Sequence, residues 1–162
     1  MDRPLRDVAS SLTLDSASAI VDGALKAARA ENFLPLAVAV LDSGGHLVAF
    51  KREDGCGLLR VEIAQAKARG ALGMGISSRT IAQRLSNRPN FITAVVAASG
   101  GEFVPVPGGV LILDARGLAI GAVGISGDTS DKDEYCAIQG VRSAGLASDP
   151  AEPNPEWKAS GL

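Results

Sequence analysis

The stretch "LPLAVAVLDSGGHLVAFKRED", residues 34–54, reads as two strands around a tight turn. Leu36 to Leu41 is nearly all apolar, and His46 to Arg52 alternates less cleanly. Between them stand Asp42, Ser43, Gly44 and Gly45, all residues that favour turns. So short a link forces antiparallel pairing, because a parallel neighbour needs a crossover of a dozen residues or more. A second pair follows the same plan, with Val110 to Leu113 and Leu118 to Ile125 flanking Asp114 to Gly117. "VLDSGGHLV" (40–48) and "LILDARGLAI" (111–120) each place Leu-Asp just before the turn, a shared hairpin design.

Helical patterns surround these hairpins. Thr13 to Glu31 puts Ile20, Val21, Ala24, Ala27 and Ala28 on one face, with Thr13 as its cap and Asp15 at the positive end of its dipole. Pro35 in "NFLP" sets its limit. Leu59 to Met74 carries a small-residue stripe, Val61, Ala64, Ala68 and Ala71, which lets a helix lie close to a sheet. "SSRTIAQRLSN" and "PNFITAVVAAS" predict two more helices split at Pro89. Phe103 to Val106 reads as a short edge strand, since Pro105 is tolerated at an edge. The last helix is expected from Ser130 to Gly145. Residues 1–12 read as an N-terminal arm, 13–146 as the domain, and 147–162 as a proline-rich tail. That tail is expected to be disordered or to lie across a neighbouring subunit, and Trp157 favours the second. The order implies one mainly antiparallel sheet with helices on one or both faces.

Bulk composition narrows the classes. A chain of 162 residues suits one domain with a real core. Apolar residues make up 46% but aromatic ones only 4%, so Ala, Val, Leu and Ile must build that core. A net charge of −2 with no basic patch argues against a nucleic-acid partner. No apolar run is long enough to span a membrane, and the N-terminus has no secretory h-region. With Cys56 and Cys136 as the two thiols, a cytoplasmic location is expected.

The residues able to carry chemistry are few. His46, the single histidine, is either a heme ligand or acid/base group, or a polar turn residue. Gly108 and Gly109 enter a strand, and Gly127 lies where "GAVGISGDTSDKDE" (121–134) feeds a helix N-terminus. Backbone N–H groups at such places seat anionic ligand groups, or the glycines only let the chain bend. Asp131 is read as complementing the helix dipole. Glu134 shares a helical face with Ala137, Ile138 and Val141, and Lys67 flanks Ala64 and Ala71. Charges at the edge of an apolar face are solvated, paired or functional. Arg52 is either one half of a strand-end ion pair or a grip on an anionic group at a cleft mouth. One histidine and two distant cysteines give no metal-ligand set.

Taken in order, "LDSGGHLVAFKREDG", "IAQAKARGAL", "GGVLI", "IGAVGISGDTSDKDE" and "AIQGVRSAGL" resemble the GlcG/HbpS family, which includes the C-terminal domain of PduO-type proteins. The likeness runs from about Leu14 to Leu146. It implies a three-layer α/β/α sandwich, an α+β fold on a five-stranded, mainly antiparallel sheet. It also implies homo-oligomers from dimer to octamer and, in some members, bound heme, with His46 at a position where the motif commonly carries a histidine.

Two functions of different class follow. One is a cytoplasmic heme- or tetrapyrrole-binding protein using His46, Arg52 and Lys67. The other is a small isomerase, dehydratase or lyase, with Glu134 or Asp133 as acid or base and Lys67 or Arg52 holding a carboxylated substrate.

Overall fold

Alternation along the strands separates two unlike faces of one sheet. The structure, a computed structural model, describes residues 5–162. Its elements are α1 (Leu14–Ala30), β1 (Ala37–Asp42), β2 (Leu47–Arg52), α2 (Arg60–Met74), α3 (Ser78–Leu85), α4 (Pro89–Ala98), β3 (Gly109–Leu113), β4 (Ala119–Ser126), α5 (Ser130–Ser143) and β5 (Ala147–Asp149). The strands run antiparallel in the order β2-β1-β4-β3-β5. Val38, Val40, Val110, Ile112, Val123 and Ile125 face α1 and α5 and form the main core. Ala37, Ala39, Leu41, Leu111 and Ala122 face the other way, against Ala64, Ala68 and Ala71 of α2. The result is three layers, α1 and α5, the sheet, and α2 with α3 and α4 beside it.

The alanine-lined face exists because α2 approaches the strands too closely for larger groups. A Cβ at Gly124 would stand 1.8 Å from the Ala64 carbonyl oxygen, and one at Gly109 would stand 2.2 Å from that of Lys67. The small-residue stripe read in the sequence is one half of this contact, and the strand glycines are the other. Thr13 caps α1 as expected, accepting a hydrogen bond from Ser16 N–H at 3.2 Å.

Two expectations are corrected. Residues 103–106 form no strand, because Pro105 and Pro107 remove donors and the chain turns locally, Val106 N–H donating to Val104 O. Phe103 is buried instead against Gly70, Ile81 and Leu85. The fifth strand is β5, paired with β3 through Leu111–Asp149 and Leu113–Ala147. The tail is also ordered, and it packs on its own chain. Trp157 stacks on Tyr135 with centroids 3.9 Å apart and meets Phe33 edge-on at 5.7 Å, all within this chain. The first four residues of the N-terminal arm lie outside the described residues.

α4 is unusual in its exposure. Its sequence, PNFITAVVAA, is mostly apolar, yet none of its residues is buried.

Candidate functional site

The two hairpins are built alike to the level of single atoms. In the first, Asp42 N–H donates to His46 O, Gly45 N–H donates to Asp42 O, and Asp42 Oδ1 accepts from Gly44 N–H and His46 N–H, both at 2.9 Å. In the second, Asp114 N–H donates to Leu118 O, Gly117 N–H donates to Asp114 O, and Asp114 Oδ1 accepts from Arg116 N–H and Leu118 N–H, both at 2.9 Å. These bonds hold both aspartates below the usual carboxylate range; the largest contribution comes from His46 N–H for Asp42 and from Leu118 N–H for Asp114. His46 therefore occupies the place that Leu118 fills in the sister turn. The turn requires the aspartate and the glycine at φ +81° or +78°, but not an imidazole.

The His46 side chain is 80% exposed, and its Nδ1 stands 3.2 Å from Asp42 Oδ1. A carboxylate facing Nδ1 leaves Nε2 as the ring nitrogen available to a ligand. Gly44 makes room for it, since a Cβ there would meet the ring at 2.8 Å. The ring borders a groove of about 470 Å³ between the hairpin and α2, with Leu72 and Gly73 on its helical wall and Arg69 and Glu102 at one side. Arg69 and Glu102 form an ion pair. Sequence reasoning missed both, because Glu102 lies on a loop with no periodic signal and Arg69 is one of many charges on helix faces.

A second centre lies elsewhere. His46 follows Asp42, which pairs with Gly121, whereas Ala37 at the other end of β1 pairs with Ser126. Five residues of strand separate those ends, about 17 Å. Beyond Ser126, the Lys67 ammonium donates to Ile125 O at 2.9 Å and to Asp133 Oδ2 at 3.0 Å, while Asp133 Oδ1 accepts from Asp128 N–H. Lys67 thus joins the α2 layer to the α5 layer around the end of the sheet. Both side chains are almost wholly buried. Burial pushes Lys67 down and Asp133 up, and each is opposed by its partner's charge. Gly108, at φ +118°, leaves the space that the ammonium uses.

Lys67 and Glu134 enter two separate pairs, with Asp133 and Arg79. Glu134, one residue beyond Asp133, lies on another side of α5, where its Oε2 stands 3.3 Å from Arg79 Nε. It is fully buried, and neither of its oxygens has a hydrogen-bond partner among the described residues. Burial pushes its carboxyl up to about 7 against the pull of Arg79. The other sequence-predicted residues are dispersed. Gly109 N–H already donates to Ser78 Oγ at 2.7 Å. Gly127 passes so close to Pro35 that a Cβ would stand 2.3 Å from its carbonyl oxygen. Arg52 ends β2, the strand that begins beside His46, and borders a cleft of about 440 Å³ with Arg29 and Glu53. The structure therefore brings together Lys67, Asp133 and Gly108, and leaves His46 and Arg52 at opposite ends of one strand. Among the described residues no helix is long and apolar enough to cross a membrane, and no cluster of three His, Cys, Asp or Glu side chains could hold a metal ion.

A three-layer α+β sandwich with this sheet order is shared with known proteins. Residues 12–142 match the model of the family described as haem degrading protein HbpS-like. The chain is 35% identical over 116 residues to protein GlcG of Escherichia coli strain K12, a match covering 71% of this chain and 81% of that protein. The chain belongs to the HbpS-like family. Among solved structures, the PduOC:heme complex superposes with a TM-score of 0.76 at 21% identity, over 85% of this chain and 98% of that one. The crystal structure of HbpS superposes with a TM-score of 0.70 at 26% identity, over 86% of this chain and 93% of that one.

Proposed function

We propose that the chain binds heme, with His46 Nε2 as the iron ligand. The observation that carries this reading is the substitution of an imidazole for the leucine that serves the same turn geometry in the second hairpin. A turn residue retained only for shape has no need of an imidazole fixed by Asp42 and facing a groove of about 470 Å³. The donor set fits the group: a neutral imidazole with one nitrogen held and the other free is a common heme ligand. The family's description and the heme complex of PduOC support heme as the ligand. Bound heme supplies a redox-active iron; this chain's residues orient the ligand and wall one side of the groove.

Hemin titration of the purified protein, followed by the Soret band, tests the reading. Saturation at one heme per chain is expected, with a changed band position and weaker binding in His46→Ala. An unchanged titration in that variant removes His46 from the site.

Two further properties complete the proposal. Assembly as a homo-oligomer is supported by α4, whose Phe91 and neighbouring alanines stand exposed. A cytoplasmic location is supported by two cysteines that remain free thiols.

A further inference from the structure

The Arg69–Glu102 pair stands where three hollows on the α2 side of the molecule adjoin. It borders the His46 groove of about 470 Å³, a second of about 430 Å³ toward Gly100 and Gly101, and a smaller one of about 210 Å³ beside Phe103. Both partners reach solvent. Arg69 is 32% exposed and Glu102 56% exposed. Glu102 follows Gly100 and Gly101, which take φ of +70° and +86°, conformations open to glycine that leave this turn unsupported by side chains. The next residue, Phe103, is buried on Gly70, so the loop has a fixed foot and an exposed tip. The groove wall beside the pair is open: a Cβ at Gly73 would meet nothing within 4 Å.

Resting on the heme reading, we infer that Arg69 is the anion subsite of this groove and that Glu102 occupies it in the absence of ligand. A guanidinium recognises a carboxylate by a planar fork of donors, and Glu102 presents that chemistry from within the chain. A carboxylated planar ligand lying against Leu72 and Gly73, with its centre at His46, brings its own carboxylate to the same fork. The exchange replaces one exposed ion pair by another, and such a pair is worth little in itself, so the subsite opens readily. Selectivity for the free acid over its ester follows, because an ester carries no charge to displace Glu102.

Three ligands separate the parts of this inference: hemin, hemin dimethyl ester and metal-free protoporphyrin. The expected result is a preference for hemin over its dimethyl ester of about twofold in the unaltered protein, where Glu102 competes, rising to about tenfold in Glu102→Gln, one uncontested charge-assisted contact. Arg69→Ala erases that preference and retains the His46-dependent Soret position. Glu102→Gln tightens hemin severalfold and leaves the ester unchanged. Protoporphyrin, which has carboxylates and no iron, depends on Arg69 and not on His46. Equal binding of hemin and ester by Glu102→Gln overturns the inference, as does a preference that survives Arg69→Ala. A preference that vanishes in Arg69→Ala while His46→Ala leaves the hemin spectrum unchanged sustains the subsite and refutes the axial ligand instead. Absence of saturable binding by all three ligands overturns both.

Discussion

Asp42 holds His46 at two points, accepting its backbone N–H at 2.9 Å and facing its Nδ1 at 3.2 Å, both through Oδ1. Asp114 makes the first of these bonds to Leu118 and has no imidazole to hold. The pair of hairpins is therefore an internal control. Asp42→Asn and Asp114→Asn should each cost about 1 kcal/mol of stability through weakened turn hydrogen bonds. Only Asp42→Asn should also weaken hemin binding. His46→Leu, which copies the sister turn, should change stability by less than about 0.5 kcal/mol. Urea melts and hemin titrations of the three variants check this; a destabilised His46→Leu would show that the ring has a structural duty in the turn.

Glu134 should make stability depend on pH. Its carboxyl, ordinarily at 4.5, rises to about 7 because burial outweighs Arg79. A group raised in the folded state contributes stability that is complete below its unfolded value near 4.5 and is lost as pH rises through about 7. That span corresponds to about 3 kcal/mol. The charges facing it are Arg79 from α3, Asp131 from its own helix and Asp149 from β5. Glu134→Gln stays neutral throughout, so its stability relative to the unaltered protein should climb between pH 5 and pH 8. A difference independent of pH would mean that the carboxyl is ionised in the fold across the whole range.

The buried Lys67–Asp133 pair should prove a structural tie. Lys67→Met leaves the Asp133 carboxylate with one hydrogen-bond donor, Asp128 N–H, at the end of the sheet. Breaking a buried pair in this way costs about 3 kcal/mol or more. Adding Asp133→Leu should recover part of that loss. Thermal melts of both variants supply the test, and a Lys67→Met protein as stable as its parent would assign the lysine another purpose.

Trp157 should anchor the C-terminal segment from within its own chain. Trp157→Ala removes the stack on Tyr135 and the edge contact with Phe33, at a cost of about 3 kcal/mol. Limited proteolysis should then cut between residues 150 and 162 faster than in the parent. Undiminished resistance would place the anchor in the Arg79 and Arg142 bonds to the carbonyls of Glu152 and Ala151.

Local patterns carried much of this architecture. The hairpins, the Thr13 cap, the alanine stripe of α2 and the break at Pro89 each follow from turn chemistry, capping or periodicity, which act over a few residues. The fifth strand was not legible, because Ala147–Asp149 carries no β-forming pattern and exists only where β3 offers an edge. The position of Trp157 was hidden for the same reason, since Phe33 lies 124 residues upstream. At the candidate site, His46 and the turn residues beside it were legible, but that Asp42 faces the ring was not, because turn chemistry places the backbone and leaves the imidazole's partner open. The partners of Lys67 and Glu134 were not, because adjacent residues on α5 point to different layers, and no spacing rule says which charge meets Asp133 and which meets Glu134.

Chemical rescue tests the central claim most directly. His46→Gly is loaded with hemin and its absorption and electron paramagnetic resonance spectra are recorded before and after addition of imidazole. If His46 is the iron ligand, the variant loses the spectrum of the unaltered protein and free imidazole restores it. If the variant shows the unaltered spectrum without imidazole, the iron is held elsewhere and the role assigned to His46 is wrong.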